Sequence, residues 1–128
     1  MEALVYLDTH VIVWLYAGRE DLLSERATRT IQQDRLLFSP VVRLELQYLF
    51  ETDRITKRPD QILDALGTEI ALRSCQSSFA TVVNQAIELK WTRDPFDRII
   101  TAQAGANQAP LLTKDKTILR HYQKAFWD

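Results

Sequence analysis

The chain has 128 residues, 46% of them hydrophobic and 26% charged, which suits one globular domain over residues 1–128 and is too short for two of ordinary size. Its single cysteine, Cys75, excludes an intramolecular disulfide framework and points to a reducing compartment, the cytoplasm. A net charge of −1 argues against a protein that lives by non-specific phosphate binding, although acids gathered around a cation leave a nuclease open.

The N-terminal stretch MEALVYLDTH has neither the basic segment nor the cleavage signature of a secretory leader. No apolar run approaches the roughly 20 residues that cross a bilayer. Residues 3–7 (ALVYL) are apolar, β-rich and short, as a buried strand should be, and the run ends at Asp8. Residues 11–17 predict a short helix, and Ser24 can cap a second one reaching Gln33. Residues 36–38 read as the next buried strand. Ser39-Pro40 then supplies an N-cap and a proline at the first helical position, so a helix runs from there toward Thr52.

Another helix follows Pro59, and residues 70–75 read as a third strand. Ser77 or Ser78 opens a long helix toward Trp91. Asp94-Pro95 repeats the cap-plus-proline start and leads a helix toward Asn107. Residues 111–113 form a fourth strand, Asp115 begins a last helix over residues 116–122, and residues 125–127 form a short edge strand. Strands alternating with helices imply crossover units and a mainly parallel sheet covered on both faces, a three-layer α/β/α domain.

Ligands of open α/β sheets bind beyond the carboxyl ends of the strands. Asp8 stands there directly after the first strand, with little structural reason to be an acid, and Asp115 lies just past the fourth. On a helix turning about 100° per residue, Arg43, Gln47, Glu51 and Arg54 share one face, and Glu45 falls almost opposite, among Val41, Val42, Tyr48 and Leu49. An inward carboxylate must be paired or bound to a metal, so a buried salt bridge to an arginine competes with ligation. Asp94 as N-cap and Asp97 at the third helical position both satisfy a helix start as readily as a site, and Asp115 has the same ambiguity. Oxygen donors from separate elements suit hard cations such as Mg²⁺ or Mn²⁺, and no His/Cys cluster suggests zinc.

The succession LDTH, RLELQYL, DPFDRIITAQA and LLTKD resembles the PIN-domain family, in particular its VapC-type toxins of the DPFDR subgroup, from about Val5 to Trp127. The resemblance implies a parallel sheet of about five strands, as in other such α/β domains, and a metal-dependent ribonuclease that leaves 5′-phosphate and 3′-hydroxyl ends. By the same implication Asp8, Glu45, Asp97 and Asp115 carry catalysis and hold Mg²⁺ or Mn²⁺, with Asp94 as an additional candidate and Thr9 and Thr113 in support. A small antitoxin partner, an RNA substrate and a homodimer follow from the resemblance as well. Arg19, Arg43, Arg93, Arg98, Lys114 and Lys116 flank these motifs and are candidate RNA contacts.

His10 at a helix start and His121 in the last helix read as surface residues, and Cys75 reads as a small core side chain without a histidine partner. Trp14, Leu15 and Tyr16 read as core, with a partner groove as the alternative. A phosphoaspartate enzyme would place a second aspartate where this chain has His10. A non-toxin RNA-processing nuclease would share the same acids, and a catalytically silent RNA- or protein-binding module need not keep them. Isolated Gly18, Gly67 and Gly105 exclude a phosphate-binding P-loop.

Overall fold

The computed structural model describes residues 3–128; Met1 and Glu2, part of the stretch read for a leader, lie outside the described residues. Strand β1 (Leu4–Leu7) buries Val5, Tyr6 and Leu7 in succession. Neighbouring side chains of a strand point to opposite faces, so three consecutive buried residues demand cover on both sides of the sheet. The sheet has five strands, all parallel, in the order β3-β2-β1-β4-β5, with β2 at Arg35–Phe38, β3 at Arg73–Ser74, β4 at Leu111–Leu112 and β5 at Ala125–Phe126. Tyr6 aligns with Leu37 on one side and Leu111 on the other.

The helices are α1 (Thr9–Tyr16), α2 (Glu25–Gln33), α3 (Pro40–Glu51), α4 (Pro59–Glu69), α5 (Phe79–Ile87), α6 (Pro95–Ala106) and α7 (Lys116–His121). A short 3₁₀ turn occupies Glu20–Leu22. Ser24 accepts the Ala27 N–H and Ser39 the Val41 N–H, so both serines cap the helices they precede. The main core joins β1, β4 and β2 to Val11, Ile12, Leu46, Leu66, Ile100 and Ile118 from five helices. No helix among the described residues is long and apolar enough to cross a membrane. The chain builds from β1 outward to β3, then returns to add β4 and β5 on the other side. That reversal between β1 and β4 opens a crevice at their carboxyl ends.

Three elements differ from expectation. The third strand is Arg73–Ser74 rather than residues 70–75, because Ile70 still caps α4 and Ala71 turns the chain at φ 56°. Helix α5 stops at Ile87 instead of running to Trp91: the side chain of Arg98 on α6 donates to the carbonyls of Ala86 (3.0 Å) and Ile87 (3.3 Å), capping its end. Helix α1 begins two residues earlier than the apolar pattern suggested, at Thr9. The shift changes the reading of Asp8, as described below.

Candidate active site

The crevice beyond β1 and β4 is a cleft of about 370 Å³ whose lining includes Asp8, Glu45, Asp94, Asp97 and Asp115. Four elements deliver them: Asp8 leaves β1, Glu45 projects from α3, Asp94 and Asp97 open α6, and Asp115 opens α7. All four acids expected from the sequence, and the additional candidate Asp94, therefore face one space. Among the described residues no group of three or more His, Cys, Asp or Glu side chains is arranged to hold a metal ion directly, so the carboxylates ring the cleft without closing on a point.

Asp8 has the structural role that its position after a strand concealed. It is the N-cap of α1: Oδ1 accepts the Thr9 N–H at 2.8 Å, and Oδ2 accepts the Thr113 hydroxyl at 2.7 Å. Both oxygens of this buried carboxylate are thereby fixed. The same Thr113 Oγ1 accepts the Asp115 N–H at 3.0 Å, so one buried hydroxyl spans the first and last acids. Thr9 donates its hydroxyl to Glu45 Oε1. Glu45 is half-buried and has no arginine partner among the described residues, which overturns the buried salt bridge as its explanation.

Asp115 and Asp94 both cap helices. Asp115 Oδ1 accepts from Thr117 (2.9 Å) and Ile118 (3.0 Å), while Asp94 Oδ1 accepts from Phe96 (2.9 Å) and Asp97 (3.3 Å). Asp97 does not complete a reciprocal capping box, since the Asp94 N–H goes to Thr92 Oγ1 at 3.1 Å. Its half-buried carboxylate makes no hydrogen bond to any described residue, so the helix start does not explain it.

The electrostatics follow from this crowding. Burial, then the charges of Asp94, Asp8, Asp115 and Glu45, push Asp97 up to about 7. Burial also raises Glu45, with Asp8 and Asp94 adding to it and the Thr9 hydroxyl opposing. Carboxylates that burden one another in this way favour a proton or a cation among them.

His10 is tied to this frame rather than turned to solvent. Its Nε2 accepts the Lys114 N–H at 2.9 Å, and Nδ1 lies 3.7 Å from Asp8 Oδ2. Lys114 in turn places its ammonium over the rings of Trp14 (5.9 Å) and Trp127 (6.0 Å). His121 is exposed and stacks on Trp91, and Cys75 is buried and accepts or donates one hydrogen bond with the Tyr6 hydroxyl at 2.9 Å. Tyr48, placed inward by the helical pattern, is exposed and lies against Phe96.

Several expected RNA contacts are engaged elsewhere. Arg43 pairs with Asp60 (2.7 and 3.0 Å), Arg19 with Asp21 (3.0 and 2.9 Å), and Arg98 caps α5. Arg93 donates to the Lys90 carbonyl at 2.8 Å. The cleft instead contains Arg54, which the helical wheel grouped with Arg43, Gln47 and Glu51 on the face opposite Glu45. Helix α3 ends at Glu51, and the wheel does not extend past that point. The positive φ of Asp53 was the hidden signal (φ 60°), and aspartate is among the residues that tolerate it.

The PIN domain model matches residues 5–124 of the chain. No curated protein matches it. Among solved structures the chain is similar to VapBC2 from Rickettsia felis bound to a DNA fragment from its promoter, with TM-score 0.70 and 20% identity over 98% of this chain and 99% of that one. It is similar also to VapBC-1 from nontypeable Haemophilus influenzae, with TM-score 0.67 and 19% identity over 98% and 96%. A toxin-antitoxin complex from Klebsiella pneumoniae gives TM-score 0.67 and 15% identity over 95% of each chain. Identities this low speak to the fold, whereas the domain match spans all but four residues at each end: the chain belongs to the PIN-domain family.

Proposed function

We propose that this chain is a divalent-metal-dependent endoribonuclease and the toxin of a toxin–antitoxin pair, hydrolysing RNA in the acid cleft. The observation that carries the reading is Asp97, a half-buried carboxylate without a hydrogen-bond partner among four other acids, pushed up to about 7 by burial and their charges. The toxin assignment draws on the likeness to VapBC complexes, and it carries with it a small antitoxin, a homodimer and a cytoplasmic setting.

The donor chemistry fits Mg²⁺ or Mn²⁺. Every acidic lining group offers oxygen, and Mg²⁺ characteristically keeps several waters and takes only one or two carboxylates directly, so a ring of acids that does not close is compatible with it. Asp8, Glu45, Asp97 and Asp115 would hold the ion, with Asp94 at the rim. When bound, such an ion supplies positive charge for the phosphate and a water of lowered pKa. Hydrolysis in which a water oxygen joined phosphorus and the P–O3′ bond broke, with the proton released by the water made up at O3′, would leave a 5′-phosphate and a 3′-hydroxyl.

The chain's own residues supply orientation. Thr113 fixes the Asp8 carboxylate and the backbone of Asp115, Thr9 fixes Glu45, and the His10 ring ties the loop after β4 to α1. Sites of this kind depend on carboxylates held by hydrogen bonds of their own. A non-toxin RNA-processing nuclease would use the same cleft, and the presence of an antitoxin separates the two. The test is Asp8→Asn: asparagine caps a helix as well as aspartate does, so the variant should fold and yet cleave no RNA. Undiminished turnover by this variant overturns the assignment.

A further inference from the structure

A bound ion offsets the five carboxylates at the scissile phosphate only, so the neighbouring phosphates of the strand call for side-chain cations at the edge of the cleft. Arg54 is the cation that lines the acid cleft, and it also lines the adjoining one of about 380 Å³. The two clefts share Val13, Arg54 and Ile55, and the second continues to Tyr16, Lys57 and Ile62. Its floor is apolar and its rim is cationic.

The backbone sets Arg54 there. After α3 ends, Asp53 takes a left-handed conformation (φ 60°), and the N–H groups of Asp53 and Arg54 return to the carbonyls of Phe50 (3.2 Å) and Leu49 (2.9 Å). This turn swings Arg54 off the helix and into the cleft. Arg54 is exposed at the cleft, forms no ion pair and gives no side-chain hydrogen bond among the described residues. Arg19 and Arg43, by contrast, each spend two donors on a neighbouring aspartate. An exposed guanidinium that lines the acid cleft and pairs with no carboxylate has its donors open to an anion from outside the chain.

We propose that Arg54 and Lys57 form a phosphate track, along which single-stranded RNA leaves the acid cleft with a base on the apolar floor of Val13, Ile55 and Ile62. The inference rests on the ribonuclease reading and adds to it a direction and two binding residues. A single strand suits this surface better than a duplex, because only an unpaired base can lie against an apolar floor while its phosphates meet a cationic rim.

The test measures binding of a short fluorescent single-stranded RNA to the Asp8→Asn protein in Mg²⁺ over a salt series, and cleavage by proteins with Asp8 intact. Arg54→Ala should weaken binding several-fold and flatten the slope of log K against log salt by about 0.7, the value for one lost phosphate contact on a single strand. Lys57→Ala should do the same, Arg54→Lys should keep the slope, and neither alanine variant should lower Tm, since neither side chain has a partner to lose. In cleavage, Arg54→Ala should raise KM more than it lowers kcat. Unchanged slopes beside normal cleavage overturn the track and leave the ribonuclease standing. A lower affinity with an unchanged slope also overturns it, because no phosphate contact has then been lost. If the wild-type chain neither binds nor cleaves RNA, both the track and the ribonuclease reading fall.

Discussion

The hydroxyl of Thr113 donates to Asp8 Oδ2 at 2.7 Å while accepting the backbone N–H of Asp115 at 3.0 Å, joining two acids that lie 107 positions apart in the chain. The bond is buried, so removing the hydroxyl leaves one oxygen of Asp8 without its donor. Thr113→Val should cost about 1–3 kcal/mol of stability, the usual penalty for an unsatisfied buried group. It should also lower cleavage at least tenfold by loosening both acids. Thr113→Ser should restore most of both, as thermal unfolding and initial rates would register; equal rates in the valine variant would remove Thr113 from the site's support.

Asp97 makes stability depend on pH in a defined direction. Its carboxyl titrates near 3.8 without the fold and at about 7 within it, so between these values the folded protein binds the extra proton. Stability without added metal should therefore fall as pH rises through this window. Because the side chain is only half-buried, solvent screening limits the effect to roughly 1 kcal/mol. Asp97→Asn should flatten the slope and raise Tm at pH 8 in chelator, and saturating Mg²⁺ should stabilise the parent more than the variant. A parent whose Tm rises from pH 5 to 8 in chelator contradicts the electrostatic reading.

Asp94 spends its carboxylate on the start of α6. Asp94→Asn should leave Tm nearly unchanged, whereas Asp94→Ala should cost about 1 kcal/mol, the usual value of an N-cap. Since Asp94 is the largest charge contribution to the raised Asp97, the asparagine variant should also move the Asp97 titration downward, a shift that carboxyl-resolved NMR can follow.

Arg98 flanks the acid motif in sequence but closes the end of α5 in space. Arg98→Ala should lower stability by about 1 kcal/mol through the lost carbonyl caps while leaving RNA affinity and its salt slope as they were. A salt slope that drops in this variant would return Arg98 to the RNA surface.

What could be read from the sequence and what could not have separate physical causes. Ser39-Pro40 and Asp94-Pro95 announce their helices because an N-cap acceptor and a proline act locally, whatever the tertiary structure does. The Val5–Leu7 run marks a strand buried on both faces for the same local reason. The end of α5 depends on an arginine from another helix, and the short β3 on Ala71 taking a left-handed turn that alanine does not advertise. Of the acids lining the cleft, Asp8 and Asp115 were legible beyond strand ends and Glu45 on an inward helical face, whereas Asp97 read equally as part of a helix start and was singled out by the resemblance. Arg54 was not, because a helical wheel carried past the end of α3 sets it on the face opposite Glu45.

The most direct measurement is cleavage of a mixed single-stranded RNA pool by the purified chain in Mg²⁺, in Mn²⁺ and in EDTA, with Asp97→Asn alongside. The account predicts cutting with either ion, ends bearing 5′-phosphates, and loss of cutting both in EDTA and in the variant. Cutting that persists in EDTA, or at full rate in Asp97→Asn, would contradict a metal-dependent acid cleft as the seat of the activity.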